Sequence, residues 1–227
     1  MDTAFIYRLQ RLAIAMAIPA GAVAIFIGAF FNPPYYGDKP GEKATIQQTA
    51  VHGVLMNWTH LIAQLVAAYL LPFTFLLMAI LANRRSPWLA SIGGLLSLLG
   101  FLTLPAYVGQ DSLYYDIAKW EQLTPYVNLA VHWNHDPVMT FYGIIFGLGT
   151  VVGPTLVGLA LWRSKAVPRW ASVCITFSRL PSFIFGVVPF HVAVGAVLGG
   201  VVLLVIGTFP IARTAWRAFR PAADGVG

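Results

Sequence analysis

Long apolar runs alternate with short polar breaks along the whole chain, a pattern that predicts membrane-crossing helices. Six runs reach the roughly 20 residues that span a bilayer core. They are Leu12 to Phe31, about Trp58 to Leu81, Trp88 to Val108, Val138 to Trp162, Trp170 to Pro189, and Val192 to Ala212. Together they predict an all-α, multi-pass transmembrane helix bundle forming a single domain over residues 1–227. Arg8 and Arg11 before the first run resemble the head of a signal peptide, but the run is long for a signal core and is read as a helix. The second run carries a polar stripe: Asn57, His60 beside Leu61, and Gln64 recur at helical spacing. It lies within Ala44 to Asn83, the longest segment without a formal charge, so the stripe must face a partner or a cavity.

Composition agrees with the pattern. Hydrophobic residues make up 58% and charged residues 10% of the 227 positions, and the mean hydropathy is +0.74. A soluble domain has about a quarter charged residues, so that class is excluded. The net charge of +6 does not indicate nucleic acid, because the basic residues sit in short clusters between the apolar runs rather than on one soluble face. They are topology signals instead. With the amino terminus inside, Arg8, Arg11, Arg84, Arg85, Arg163, Lys165, Arg169, Arg213, Arg217 and Arg220 all fall inside, and only Lys39, Lys43 and Lys119 fall outside. Both termini are expected in the cytoplasm, and the protein in the inner (cytoplasmic) membrane of a cell. Asp38, Glu42, Asp111, Asp116, Glu121 and Asp136 then lie on the outer side. The single cysteine, Cys174, excludes an internal disulfide.

The two outer loops are the long ones. Asn32 to Ala50 is rich in proline and reads as a turn-rich segment against the headgroups. Gly109 to Asp136 places Leu113, Ile117 and Trp120 on one side, with Asp116, Lys119 and Glu121 off it, which predicts a short amphipathic helix on the membrane. A shift of 81 residues carries Ala79, Pro87, Ala90 and Ser91 onto Ala160, Pro168, Ala171 and Ser172, suggesting a duplicated helical hairpin. Gly143 with Gly147 and Gly195 with Gly199 fit the Gly-x-x-x-Gly spacing that permits close helix contact, within the chain or in a homo-oligomer.

Residues Gly147 to Val173 carry a further signal in the segment Ala-Leu-Trp-Arg-Ser-Lys-Ala-Val-Pro-Arg-Trp, Ala160 to Trp170. This hairpin resembles that of a family of bacterial six-helix integral membrane proteins grouped as a domain of unknown function. The resemblance implies six helices in a bacterial cytoplasmic membrane and lends no catalytic residues.

Candidate chemistry gathers toward the outer side. At about 1.5 Å per residue, His60 lies roughly 34 Å above the inner end of its helix, with Gln64 about one turn deeper. His52, His132, His135 and His191 also fall on or near the outer face. Such imidazoles can hold a transition metal or haem, with Asp136 as a ligand or as a partner to one, so His52, His132, His135 and Asp136 are the candidate metal residues. Pro137 argues that the fourth helix starts after His132 and His135. Arg179 stands near mid-membrane in the fifth run, where a charge is costly and functional by default. No carboxylate lies in any run, which leaves carbonyls, water, Gln64, Tyr107 or an anionic ligand as its partners. Pro181 deprives the Phe177 carbonyl of its helical partner and predicts a break beside Arg179.

Walker, dinucleotide, Gly-x-Ser-x-Gly, His-Glu-x-x-His and Cys-x-x-Cys motifs are all missing, so an enzyme is disfavoured. The leading expectation is a membrane protein with an outer-facing polar cavity built from Asn57, His60, Gln64, Tyr107, Arg179 and His191. That cavity binds or passes a small amphipathic or anionic molecule, or the protein serves as a subunit beside a membrane partner, with lipids around it. The competing classes are an outer-leaflet haem or metal redox protein and an outer-face membrane enzyme using His135 and Asp136 as acid and base.

Overall fold

Why the chain forms helices is plain from its apolar runs: in lipid every backbone polar group must be satisfied internally. A computed structural model describes residues 3–38, 40–120, 123–184 and 187–218, and among these only helices, turns and bends occur. Lys39, Glu121 and Arg220, used above as topology markers, lie outside the described residues. The helices are α1 (Thr3–Phe30), α2 (Glu42–Val51), α3 (Val54–Ala82), α4 (Pro87–Leu102), α5 (Leu104–Ile117), α6 (Leu123–Asn134), α7 (Pro137–Ser164), α8 (Arg169–Phe177) and α9 (Phe190–Ala218). Short 3₁₀ turns cover Pro33–Tyr36 and Leu180–Ile184.

Among the described residues five stretches are long and apolar enough to cross a membrane: Phe5–Phe30, Val54–Ala82, Pro87–Ile117, Pro137–Ser164 and Phe190–Ala218. The third joins α4 to α5 through Thr103, whose hydroxyl donates to the Gly100 carbonyl at 2.7 Å. It therefore runs past Val108, where the apolar run ended. The fifth predicted run does not form one helix. After nine residues α8 stops at Phe177, and a 3₁₀ turn begins at Leu180. Pro181 supplies the reason, since it has no amide hydrogen for the Phe177 carbonyl and its ring collides with that group in a helix.

The caps follow local chemistry. Pro87 and Pro137 both open helices at a position where the missing amide hydrogen costs nothing. The Asp136 carboxylate accepts from the Val138 amide at 2.8 Å and caps α7. Lys165 ends that helix in the left-handed conformation, at φ 55°.

Packing closes a ring in the order α1, α3, α4, α7, α8, α9 and back to α1. Its interior holds Leu71, Phe75 and Met78 of α3, Phe101 of α4, Leu161 of α7 and Leu204 of α9. Phe75 and Phe101 stack with centroids 5.1 Å apart. Lipid is as apolar as these side chains, so the contact is held by dispersion and close fit rather than by the hydrophobic effect. Between α4 and α7 the two backbones come into direct contact. A methyl group at Gly100 would stand 2.5 Å from the Gly149 Cα, and one at Gly153 would stand 2.5 Å from the Ser97 nitrogen. The glycine pairs singled out by spacing are elsewhere: a methyl group at Gly147, Gly195 or Gly199 meets nothing within 4 Å, and one at Gly143 meets only the Tyr107 hydroxyl.

α1 and α9 are antiparallel. Arg11 Nη2 donates to the Trp216 carbonyl at 2.6 Å, and the Arg11 guanidinium lies over the Trp216 ring at 4.3 Å. At the opposite end His191 stands 3.8 Å from Asp38. Gly207 meets Cys174 and Ile175, while Gly200 makes room for the Ser178 carbonyl, so α8 runs antiparallel to α9. At the His191 end, α2 packs on the Pro33–Tyr36 turn, α5 and α6. There Asn134 links the cap by donating to Glu42 at 3.0 Å and to the Tyr114 hydroxyl at 2.7 Å. The predicted surface helix is instead the end of α5, Leu113 to Ile117, facing α6 across a groove that Trp120 also lines.

Candidate functional site

The polar stripe of α3 turns inward as its spacing requires, and its members do different work. Asn57 is 3% exposed, and its Nδ2 donates to the carbonyls of Thr49 at 3.0 Å, His52 at 3.1 Å and Gly53 at 2.9 Å. These carbonyls end α2 and lead into α3, so Asn57 satisfies groups that a helix end leaves unpaired. His60, also 3% exposed, bridges two other helices. Its Nδ1 is 2.7 Å from the Gly28 carbonyl of α1, and its Nε2 is 3.1 Å from Asp111 Oδ2 of α5. Gln64, one turn deeper, lies against Gly28, which has no side chain in the way. Its Oε1 is enclosed without a hydrogen-bond donor.

Gln64 opens onto a cavity of about 330 Å³ that also holds Arg179. Tyr35, Thr150 and Ser182 add hydroxyls, and Phe146 and Phe183 form part of an otherwise apolar wall. Gln64 and Val197 sit ten and seven residues into α3 and α9, so the cavity lies on the order of 10–15 Å from the amino-terminal ends of these helices. Arg179 follows the broken end of α8 and is 9% exposed. No carboxylate pairs with it among the described residues, and its Nε lacks a hydrogen-bond partner. Tyr35 is half-buried. Enclosure raises the pKa of its hydroxyl, while the nearby Arg179 charge and a hydrogen bond with Asn32 lower it and Asp111 raises it. Tyr35 thus stands where the Arg179 and Asp111 charges are both felt. Gly147 and Phe183 are partly exposed, and the cavity reaches the side of the bundle beside them.

The remaining candidates are dispersed. The Tyr107 ring packs on Phe146, 4.7 Å between centroids, behind the cavity wall. His191 is exposed, 3.8 Å from Asp38 and edge-on to the Phe190 ring. His52 Nδ1 donates to the Gln48 carbonyl at 2.8 Å, and its ring packs on Tyr36. His132 and His135 are exposed at the end of α6, His135 bonded to the Val131 carbonyl, and Asp136 is occupied as the α7 cap. Among the described residues no three His, Cys, Asp or Glu side chains gather closely enough to hold a metal ion. So the structure joins Gln64 to Arg179 and His60 to Asp111, and leaves the other imidazoles apart.

Sequence reasoning missed Tyr35 and Asp111. Asp111 was legible in principle, because extending the third span by two turns puts Tyr107, Asp111 and Tyr114 on one face of α5. Nothing in the proline-rich loop marks Tyr35. Comparison with family models, with curated proteins and with solved structures gave no match.

Proposed function

We propose that this protein crosses a bacterial cytoplasmic membrane six times, five times as a helix and once as the broken segment from α8 to α9, and binds a small amphipathic anion between its helices. Antiparallel α7, α8 and α9 support the sixth crossing, since the chain must travel from the inner end of α7 to the outer start of α9. The excess of Lys and Arg at the Arg11 and Trp216 end supports an inward orientation for both termini.

One observation carries the ligand. A guanidinium removed from water, with no carboxylate partner among the described residues and with its Nε–H unpaired, borders the cavity. A buried cation without a counterion is costly, and an anion from outside removes that cost. The polar groups suit a headgroup and the apolar wall a tail, which leaves the bundle beside Gly147. Carriage of this molecule across the membrane, or its presentation to a partner subunit, are the uses such a site permits.

Calorimetry in nanodiscs tests the reading with decanesulfonate, and with methanesulfonate to separate a tailed ligand from a free anion. Wild type is expected to bind the tailed sulfonate, and Arg179→Leu to lose about a hundredfold in affinity while keeping its unfolding midpoint. Equal affinity in a folded Arg179→Leu protein would sink the proposal. Equal affinity for methanesulfonate would assign the site to a small free anion instead.

A further inference from the structure

His60 is held by two acceptors, and counting hydrogens decides what it carries. The Gly28 carbonyl has no hydrogen to give, so at 2.7 Å Nδ1 must be the donor. A neutral imidazole then presents a bare lone pair at Nε2, which faces the Asp111 carboxyl at 3.1 Å. An ionised carboxylate only accepts, so the contact needs one hydrogen more, on Nε2 or on Oδ2. Either way the pair carries one proton beyond a neutral imidazole beside a carboxylate. Without it, two lone pairs oppose each other and a net negative charge stays on Asp111, which acts on the cavity-lining Tyr35.

The surroundings connect this proton to Arg179. His60 is sealed, with 4% of its side chain exposed, while Asp111 is 33% exposed and opens the route to outer water. The Tyr35 hydroxyl feels both charges, Arg179 lowering its pKa and Asp111 raising it, and Tyr35 and Arg179 line the same cavity. Among the described residues Asp111 also acts on Tyr114 of α5, which in turn feels Glu42 of α2 and accepts from Asn134, the residue that donates to Glu42. Gln64 continues from His60 along α3 into the cavity, and both lie against Gly28.

We infer that the His60 and Asp111 pair is a proton-binding site reached from the outer side, and that its proton is taken up together with the anion held beside Arg179. The inference rests on the reading of the cavity as an anion site. One proton leaves water and forms an N–H or O–H bond in the pair; nothing is oxidised or reduced. Removing the negative charge of Asp111 favours the anion, and by linkage the anion favours the proton. The protein therefore binds anion and proton as a set.

Decanesulfonate stays ionised throughout the test, so any pH dependence belongs to the protein. Wild type in nanodiscs is expected to bind it roughly tenfold more tightly at about pH 5 than at about pH 8, the interval in which imidazole ordinarily changes charge. Calorimetry in two buffers of different ionisation heat is expected to register net proton uptake on binding at the higher pH. Asp111→Asn donates from its amide to a neutral His60, so the variant is expected to bind tightly at both pH values, without the buffer dependence. Wild-type binding with no pH dependence and no proton uptake overturns the coupling and leaves the anion site standing. Absence of binding at every pH removes both. A folded Asp111→Asn protein that keeps the wild-type pH dependence shows that the proton is held elsewhere; should that variant not fold, the wild-type buffer comparison decides alone.

Discussion

The α4–α7 seam and the Arg179 cavity are made of the same material, apolar helices carrying glycines, and they come out opposite. At the seam Gly100 and Gly149 let two backbones touch, and Gly153 receives Ser97. Two residues before Gly149, Gly147 faces open space on the cavity side of the same helix. A glycine in lipid is thus a means either of closing a gap or of leaving one, according to whether another helix stands opposite. At the cavity the opposite helix is missing, because Pro181 ends α8 and the 3₁₀ turn takes up less of the wall.

The largest effect is expected at the seam. Gly100→Val forces a side chain into the Gly149 backbone and is expected to cost about 3 kcal/mol or more, read as a collapse of the unfolding midpoint in detergent. A midpoint unchanged from wild type would mean that the two helices are not in contact. Next comes the polar stripe, where Asn57 is satisfied and Gln64 is not. Asn57→Ala strands buried carbonyls at the α2–α3 junction and is expected to cost about 2 kcal/mol in stability with sulfonate affinity intact. Loss of affinity without loss of stability would move Asn57 into the binding site.

Gly147→Phe sharpens the comparison from the cavity side. Its side chain has room, so stability is expected to stay within about 0.5 kcal/mol, while decanesulfonate affinity falls about tenfold or more as the cavity fills. Equal affinity would show that the ligand lies elsewhere. The smallest effect belongs to Gly199→Ala, which meets nothing within 4 Å. Helix propensity alone is expected to raise stability, by up to about 1 kcal/mol. A marked loss, or a change of size by light scattering, would mean that this face of α9 packs against another chain.

The long apolar helices were legible because each depends on its own stretch of chain, on apolar length and on prolines at helix starts, whereas α2, in the segment read as a turn-rich loop, and α6 were not. The break beside Arg179 was legible for the same reason, since Pro181 acts on a carbonyl four residues back. Gln64 and Arg179 could be named as members of a cavity because both are polar where polarity is costly. His52, His132, His135 and Asp136 show the limit. Their place at one end of the bundle was readable, but each is occupied or exposed at a different point of the cap.

From the chain alone came a bundle of apolar helices, a kinked segment with a charge at the kink, and a polar face on α3. Tertiary structure alone decided which glycines meet, that Tyr35 lines the same cavity as Arg179, and that His60 faces an acceptor on each side. The reason is rotational. A helix that is apolar nearly all round carries little record of which face meets its neighbour, and that choice is made by fit between helices rather than by hydrophobicity along one of them.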